Sequence, residues 1–213
     1  MLLLAGSALA APFAVQVGET RIGLDAPPGF ADTAFTGSPR LQELAESLSS
    51  ASDRILLFAI SDADLRKFMS GDPPEFKRYM IAVTPKELER ERVNPQAFNS
   101  FVGNSMRELG APAPAGKSFA EYLNTQPPGK ASLLAELRRD AEVVSLLLGT
   151  RVPPQGRSQE KSQYLLSTST LLLLRGKALN LSVFGGYDSP GDLDWIRAIT
   201  VRWIDDLQRL NNR

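Results

Sequence analysis

The sequence predicts an α+β fold: a central, mostly antiparallel sheet with helices on its faces (α/β/α layers), ending in a β-hairpin and a long C-terminal helix. Three observations predict it. Apolar runs of strand length at 54–60 (RILLFAI) and 78–83 (RYMIAV) alternate with stretches that open on a polar residue followed by proline. The runs 163–174 and 178–184 flank Arg175-Gly176-Lys177, and in the second Leu179, Leu181 and Val183 alternate with Asn180, Ser182 and Phe184. At the end of the chain Leu193, Ile196, Ile199, Trp203, Leu207 and Leu210 recur at helical spacing, with Asp194, Arg197, Arg202, Asp205, Gln208 and Arg209 mostly on other faces. Strands and helices interleaved in this way bury their apolar faces against one another in layers.

The first ten residues are apolar, and Ala8-Leu9-Ala10 has the small-x-small pattern of a signal-peptide cleavage site. Residues 1–10 therefore read as a signal peptide, cleaved near Ala10, ahead of a single domain at 11–213. The run is too short to span a bilayer, which takes ~20 residues. No basic residue precedes it, so an upstream start or a first strand are the alternatives. Leu4-Ala5-Gly6-Ser7 resembles a lipobox with serine in place of the lipidated cysteine, so no lipid anchor is expected.

Next, 13–17 and 20–24 flank Gly18-Glu19 and read as a hairpin. Ser38-Pro39, Thr84-Pro85, Asn94-Pro95 and Ser189-Pro190 each look like a helix start, with a polar cap and proline at the first helical position. Thr84-Pro85-Lys86-Glu87 also has the capping-box spacing. Stripes follow two of these starts: Leu41, Leu44, Ala45 and Leu48 after Ser38; Phe98, Phe101, Val102, Met106 and Leu109 after Asn94. Ser61 and Asp64 cap a further short helix carrying Leu65, Phe68 and Met69. The run 54–60 is apolar almost throughout, which predicts a central strand. Residues 111–130 are rich in Ala, Pro and Gly, with Phe119 and Tyr122 as anchors, and read as a surface excursion. Between 133 and 150 both periods fit; proline and glycine at the flanks favour a strand from about Glu142 to Val152 preceded by a turn. Trp195 and Trp203 on the last helix should cover much of one sheet face.

An N-terminal hairpin running into Ala26-Pro27-Pro28-Gly29-Phe30, a central antiparallel sheet and a final hairpin under a C-terminal helix together resemble the Mog1/PsbP-like group. The resemblance covers most of the mature chain by element order, plus that one turn. It implies an exported protein whose relatives with known roles bind partners and show no catalysis. No functional motif of the group is matched, so no residue role is carried over, and the 111–130 insertion departs from the group's compact pattern.

Composition limits the chemistry. The chain has no histidine and no cysteine. It therefore cannot supply a Ser-His-Asp triad, a Cys-His dyad, a thiolate zinc site, a histidine-ligated haem or a disulfide. Lys plus Arg number 24, as do Asp plus Glu, so the formal net charge is zero. Nucleic acid is a poor partner for such a surface, because phosphate binding needs a basic excess or stripe.

The remaining motifs fail on spacing or context. The stretch 110–118 imitates a phosphate loop, but five residues separate its glycines where four are needed, and Pro112 and Pro114 remove N–H donors. Ser158-Gln159-Glu160-Lys161 matches S-x-x-K without the partner Lys-Thr-Gly element. Asp188, Asp192 and Asp194 could suggest calcium, but their spacing is not that of an EF-hand loop, and acids at a helix start are favoured by the macrodipole. Ser167-Thr168-Ser169-Thr170 could line a polar site or form the polar rows of a half-exposed sheet. The Asn180-Leu181-Ser182 sequon falls inside a strand, and 86–92 (KELERER) reads as an ion-paired helical face.

The expected function is a soluble, exported (periplasmic or secreted) accessory or binding protein, not an enzyme. It would use neither cofactor nor metal, would not bind nucleic acid or be membrane-anchored, and would act on a protein or envelope component through a sheet face or 111–130. The alternatives are a carboxylate-dependent hydrolase of cell-envelope carbohydrate, which needs two acids ~5–10 Å apart in a cleft, and an oligomerisation domain marked by an exposed apolar patch.

Overall fold

A computed structural model describes residues 12–109, 111–114, 116, 118–153 and 163–212. The signal peptide at 1–10, the S-x-x-K tetrapeptide at 158–161 and parts of the phosphate-loop imitation lie outside the described residues. Seven strands form one sheet in the order β3-β4-β5-β9-β8-β7-β6, and β1-β2 form a separate hairpin; every pairing is antiparallel.

The hairpin β1 (Phe13–Val17) and β2 (Thr20–Leu24) forms where the sequence predicts it. Gly18 turns at φ +57°, and a Cβ there would lie 2.2 Å from the Glu89 carbonyl oxygen, so only glycine fits. A three-residue strand β3 (Phe30–Asp32) follows, too short for a period-2 signal. The strand β4 (Asp53–Ser61) carries the RILLFAI run but is not central: it is second from the edge, and β9 holds the middle. Its apolar run reflects cover on two faces. Leu57 and Ala59 enter the core beneath the C-terminal helix, whereas Phe58 and Ile60 pack with Leu41 and Ala45 on the other side.

The helix starts divide. At α2 (Asp62–Ser70) the Ser61 hydroxyl accepts from the Asp64 N–H at 3.1 Å, and at α3 (Pro95–Leu109) Asn94 Oδ1 accepts from the Ala97 N–H at 2.8 Å. At α1 (Pro39–Ser47) the Ser38 hydroxyl makes no cap bond, although the proline sits as expected. The Thr84 capping box does not form. Strand β5 (Arg78–Pro85) runs through it, and only a 3₁₀ turn, Lys86–Leu88, follows. Thr84 is buried and its hydroxyl donates to the Ala178 carbonyl at 3.0 Å, so the cap oxygen is committed to the sheet. KELERER accordingly forms no helical face: Glu89 pairs with Arg54, and the buried Lys177 ammonium donates to the carbonyls of Glu89 and Glu91.

The excursion carries a helix of its own. In α4 (Phe119–Asn124) the Ser118 hydroxyl accepts from the Glu121 N–H while Glu121 returns to the Ser118 N–H. Leu123 is fully buried against Gly149, where a Cβ would lie 2.8 Å from the Leu123 Cδ1. The strand expected from about Glu142 to Val152 forms, with a turn at 140–142 before it, and the chain ahead of that turn is a further strand, so that β6 (Ala131–Arg139) leads into β7 (Val143–Arg151). Two register shifts, at Leu133/Ala135 and Glu136/Arg138, break the alternation of β6. Leu133 and Leu134 are therefore both buried, and the leucine spacing imitates a helix.

Strands β8 (Tyr164–Leu174) and β9 (Lys177–Gly186) meet as predicted. Arg175 and Gly176 turn at φ +52° and +79°, the double left-handed conformation of a type I′ hairpin. The long helix α5 (Pro190–Asn211) lies under them. Trp203 is buried and donates from Nε1 to the Asp25 carbonyl at 2.8 Å, while Trp195 rests where Gly185 leaves room for its ring. Asn211 ties the hairpin to α5: it donates to the Gly23 carbonyl and accepts from the Gly23 N–H, both at 2.9 Å.

Candidate functional site

The hydroxyl row at 167–170 separates by the alternation of β8. Thr168 and Thr170 face α5 and are buried; Thr170 pairs with the Ser145 hydroxyl at 2.7 Å, and Thr168 accepts from the Val183 N–H at 3.2 Å. Both threonines are internal links of the core. Ser167 and Ser169 turn to the opposite face and are half-buried. The acidic cluster resolves as helix capping plus an ion pair. Asp192 accepts from the backbone N–H groups of Asp188 and Ser189 and from Arg78 at 2.9 Å. Asn180 of the sequon lies in β9, half-buried.

A cleft of about 1160 Å³ lies at one end of the sheet, where β4 ends at Ser61, β5 begins at Arg78, β8 begins at Tyr164 and β9 ends at Gly186. One wall is the loop between α2 and β5. Gly71, at φ +85°, stops α2, and buried Asp64 then holds the loop: its Oδ1 accepts from the Glu75 N–H at 2.8 Å and its Oδ2 from the Ser61 hydroxyl at 2.8 Å. Phe76 sits in the left-handed region at φ +49°, a conformation that costs a non-glycine residue about 1 kcal/mol or more. Glu75 is bracketed by Lys67 at 2.7 Å and Lys77 at 2.9 Å. The two ammonium groups hold its carboxyl down to about 2.

The opposite wall is aromatic and charged. The rings of Tyr164 and Tyr187 meet edge-on at 6.1 Å, and the Tyr164 hydroxyl donates to Asn124 of α4 at 2.9 Å. The Arg78 guanidinium lies 4.0 Å over the Trp195 ring and pairs with Asp192. Burial acts against ionising Asp192, but the N–H donors of Asp188 and Ser189 together with Arg78 outweigh it, and its carboxyl is lowered. Of these residues only Asp192 stands out in the sequence, as part of the acidic cluster; Arg78, Tyr164, Tyr187 and Trp195 carry no local signal of a site. Sheet topology brings them together from positions more than a hundred residues apart.

A general acid at neutral pH needs a carboxyl pushed up, and both shifted carboxyls of this cleft are pushed down. Burial raises two carboxyls elsewhere, Asp25 and Asp32. Asp32 lines a second cleft, of about 790 Å³, between β4 and α1, and Asp25 lines neither cleft. Among the described residues no group of three or more acidic side chains could hold a metal ion, and no helix is long and apolar enough to cross a membrane.

No protein-family model and no curated protein matches the sequence. Among solved structures, the crystal structure of the Saccharomyces cerevisiae Ran-binding protein Mog1p is similar, with a TM-score of 0.38 and 12% identity, over 96% of this chain and 94% of that one. Mog1p bears the name of the group that the element order resembles, and a superposition this loose bears on neither partner nor site.

Proposed function

We propose that the chain is an exported accessory protein that binds a protein or envelope component at the sheet-end cleft and catalyses no reaction. One observation carries the reading: the ionised groups of that cleft are arranged as Lys67–Glu75–Lys77 and Arg78–Asp192 pairs beside the half-buried rings of Tyr164 and Tyr187. Such a surface offers charge and aromatic contact without a poised proton donor or nucleophile. Export rests on the Ala8-Leu9-Ala10 pattern. The test is capture from an envelope fraction with the mature chain and with Tyr187→Ala and Arg78→Ala forms. A partner retained by the first and released by both variants supports the reading; retention by all three overturns the cleft assignment. The mass of the protein recovered from the periplasm tests export, with a chain starting at Ala11 expected.

A further inference from the structure

The second cleft lies along a strand edge that the sheet leaves unpaired. Strand β3 covers only the end of β4, opposite Ala59, Ile60 and Ser61. Thr33 adds one more bond, its N–H donating to the Phe58 carbonyl at 2.8 Å. There the chain leaves the sheet through the 3₁₀ turn Ala34–Thr36 and Gly37 at φ +61°. The stretch 53–57 of β4 is paired with β5 on one side and, among the described residues, has no strand on the other. Its outer side is the floor of the groove, and Ser38, Gln42 and Glu46 of the α1 segment form the facing wall.

A helix running beside an open strand edge is the geometry in which an extended peptide adds a strand. Main-chain bonds hold such a peptide, and alternate side chains meet the floor and the wall. Unused edges are commonly blunted by a charge on the edge or by a bulge. Here the edge charge is drawn away: Arg54 donates to the Gln16 carbonyl and to Glu89. The register shift between Ile55 and Leu57 shortens the edge without covering it, leaving room for a short segment.

Charge selects the segment. Lys86, the other cation of the groove, donates to the Ala51 carbonyl at 2.7 Å. The Glu46 carboxylate accepts from the Gln42 amide, and among the described residues no cation pairs with it or with the Asp53 carboxylate. Among the described residues, the groove therefore presents carboxylates without a cation partner next to open backbone. We propose that it receives an extended, lysine- or arginine-bearing segment of a partner protein as an added strand beside β4, a second interaction surface independent of the sheet-end cleft.

The test selects randomised displayed peptides of about nine residues, one strand with flanks, on the full chain and on two variants. Gln42→Trp fills the groove from an exposed helical position; Glu46→Lys with Asp53→Lys reverses its charge. Circular dichroism confirms that each variant is folded. The expected result is enrichment of peptides with lysine or arginine, binding weakened at least about tenfold by Gln42→Trp, and a reversed preference for acidic peptides in the double variant. Amide shifts and slowed exchange at 53–57 should accompany binding in nitrogen-15 spectra. Peptides that bind the Gln42→Trp chain equally, show no preference for basic residues or shift amides elsewhere overturn the proposal. So does failure of any peptide to enrich above the Gln42→Trp selection, or a groove filled by a second copy of this chain in sedimentation equilibrium.

Discussion

Asp192 serves two structures at once. Its carboxylate closes the first turn of α5 on the N–H groups of Asp188 and Ser189, and it anchors Arg78 over the Trp195 ring. Replacing it with alanine removes the cap and leaves Arg78 without its carboxylate, which should cost about 1–2 kcal/mol; urea unfolding measures this, and Asp192→Asn should recover part of it. Glu75 makes a separate prediction in acid. Its folded value of about 2 lies below the ordinary 4.5, so the native state binds fewer protons than the unfolded chain between those values. The Lys67–Glu75–Lys77 cluster therefore contributes stability above about pH 4.5 that is lost as pH falls toward 2. The group is solvent-exposed, so the effect is small and salt-sensitive. A carbon-13 titration of the Glu75 side chain should show a midpoint near 2 that moves up in Lys67→Ala, and an ordinary midpoint would contradict the pairing.

At the scale of elements, the buried anchor of α4 is Leu123. Leu123 fills the space that Gly149 and Leu134 leave beside β7. Leu123→Ala should cost about 2–4 kcal/mol and Gly149→Ala a comparable amount by overpacking, both read from denaturant midpoints at unchanged slope. The hairpin depends on Asn211 in the same way: Asn211→Ala leaves the Gly23 N–H and carbonyl unpartnered, and about 1–3 kcal/mol should be lost. Legibility in the sequence follows from these local arrangements. The β8–β9 hairpin and α5 are legible because Arg175-Gly176 sets the turn and the Leu/Ile/Trp stripe sets the helix. Strand β6 is not, because two bulges replace its alternation with leucines at helical spacing. Thr84-Pro85 misleads because capping and strand pairing compete for the same hydroxyl, and the carbonyl of Ala178 holds it.

At the scale of the molecule, the sheet is covered by α5 and the β1–β2 hairpin on one face and by α1, α2 and α3 on the other. Both clefts arise where that cover stops, one at the strand ends and one beside the half-paired β4. This is why the site was hidden in the sequence: Ser61, Arg78, Tyr164 and Gly186 are ordinary strand-terminal residues until the strand order puts them at one end. Composition excludes histidine and cysteine chemistry directly, but the pairing of the remaining carboxylates is a property of the fold. Both surfaces are proposed to bind without turning over a substrate. This is tested most directly by incubating the purified mature chain with cell-envelope glycan and following reducing-end release. No release above buffer is expected, whereas release that is abolished by Asp32→Asn or by any other single Asp or Glu substitution would overturn the binding role.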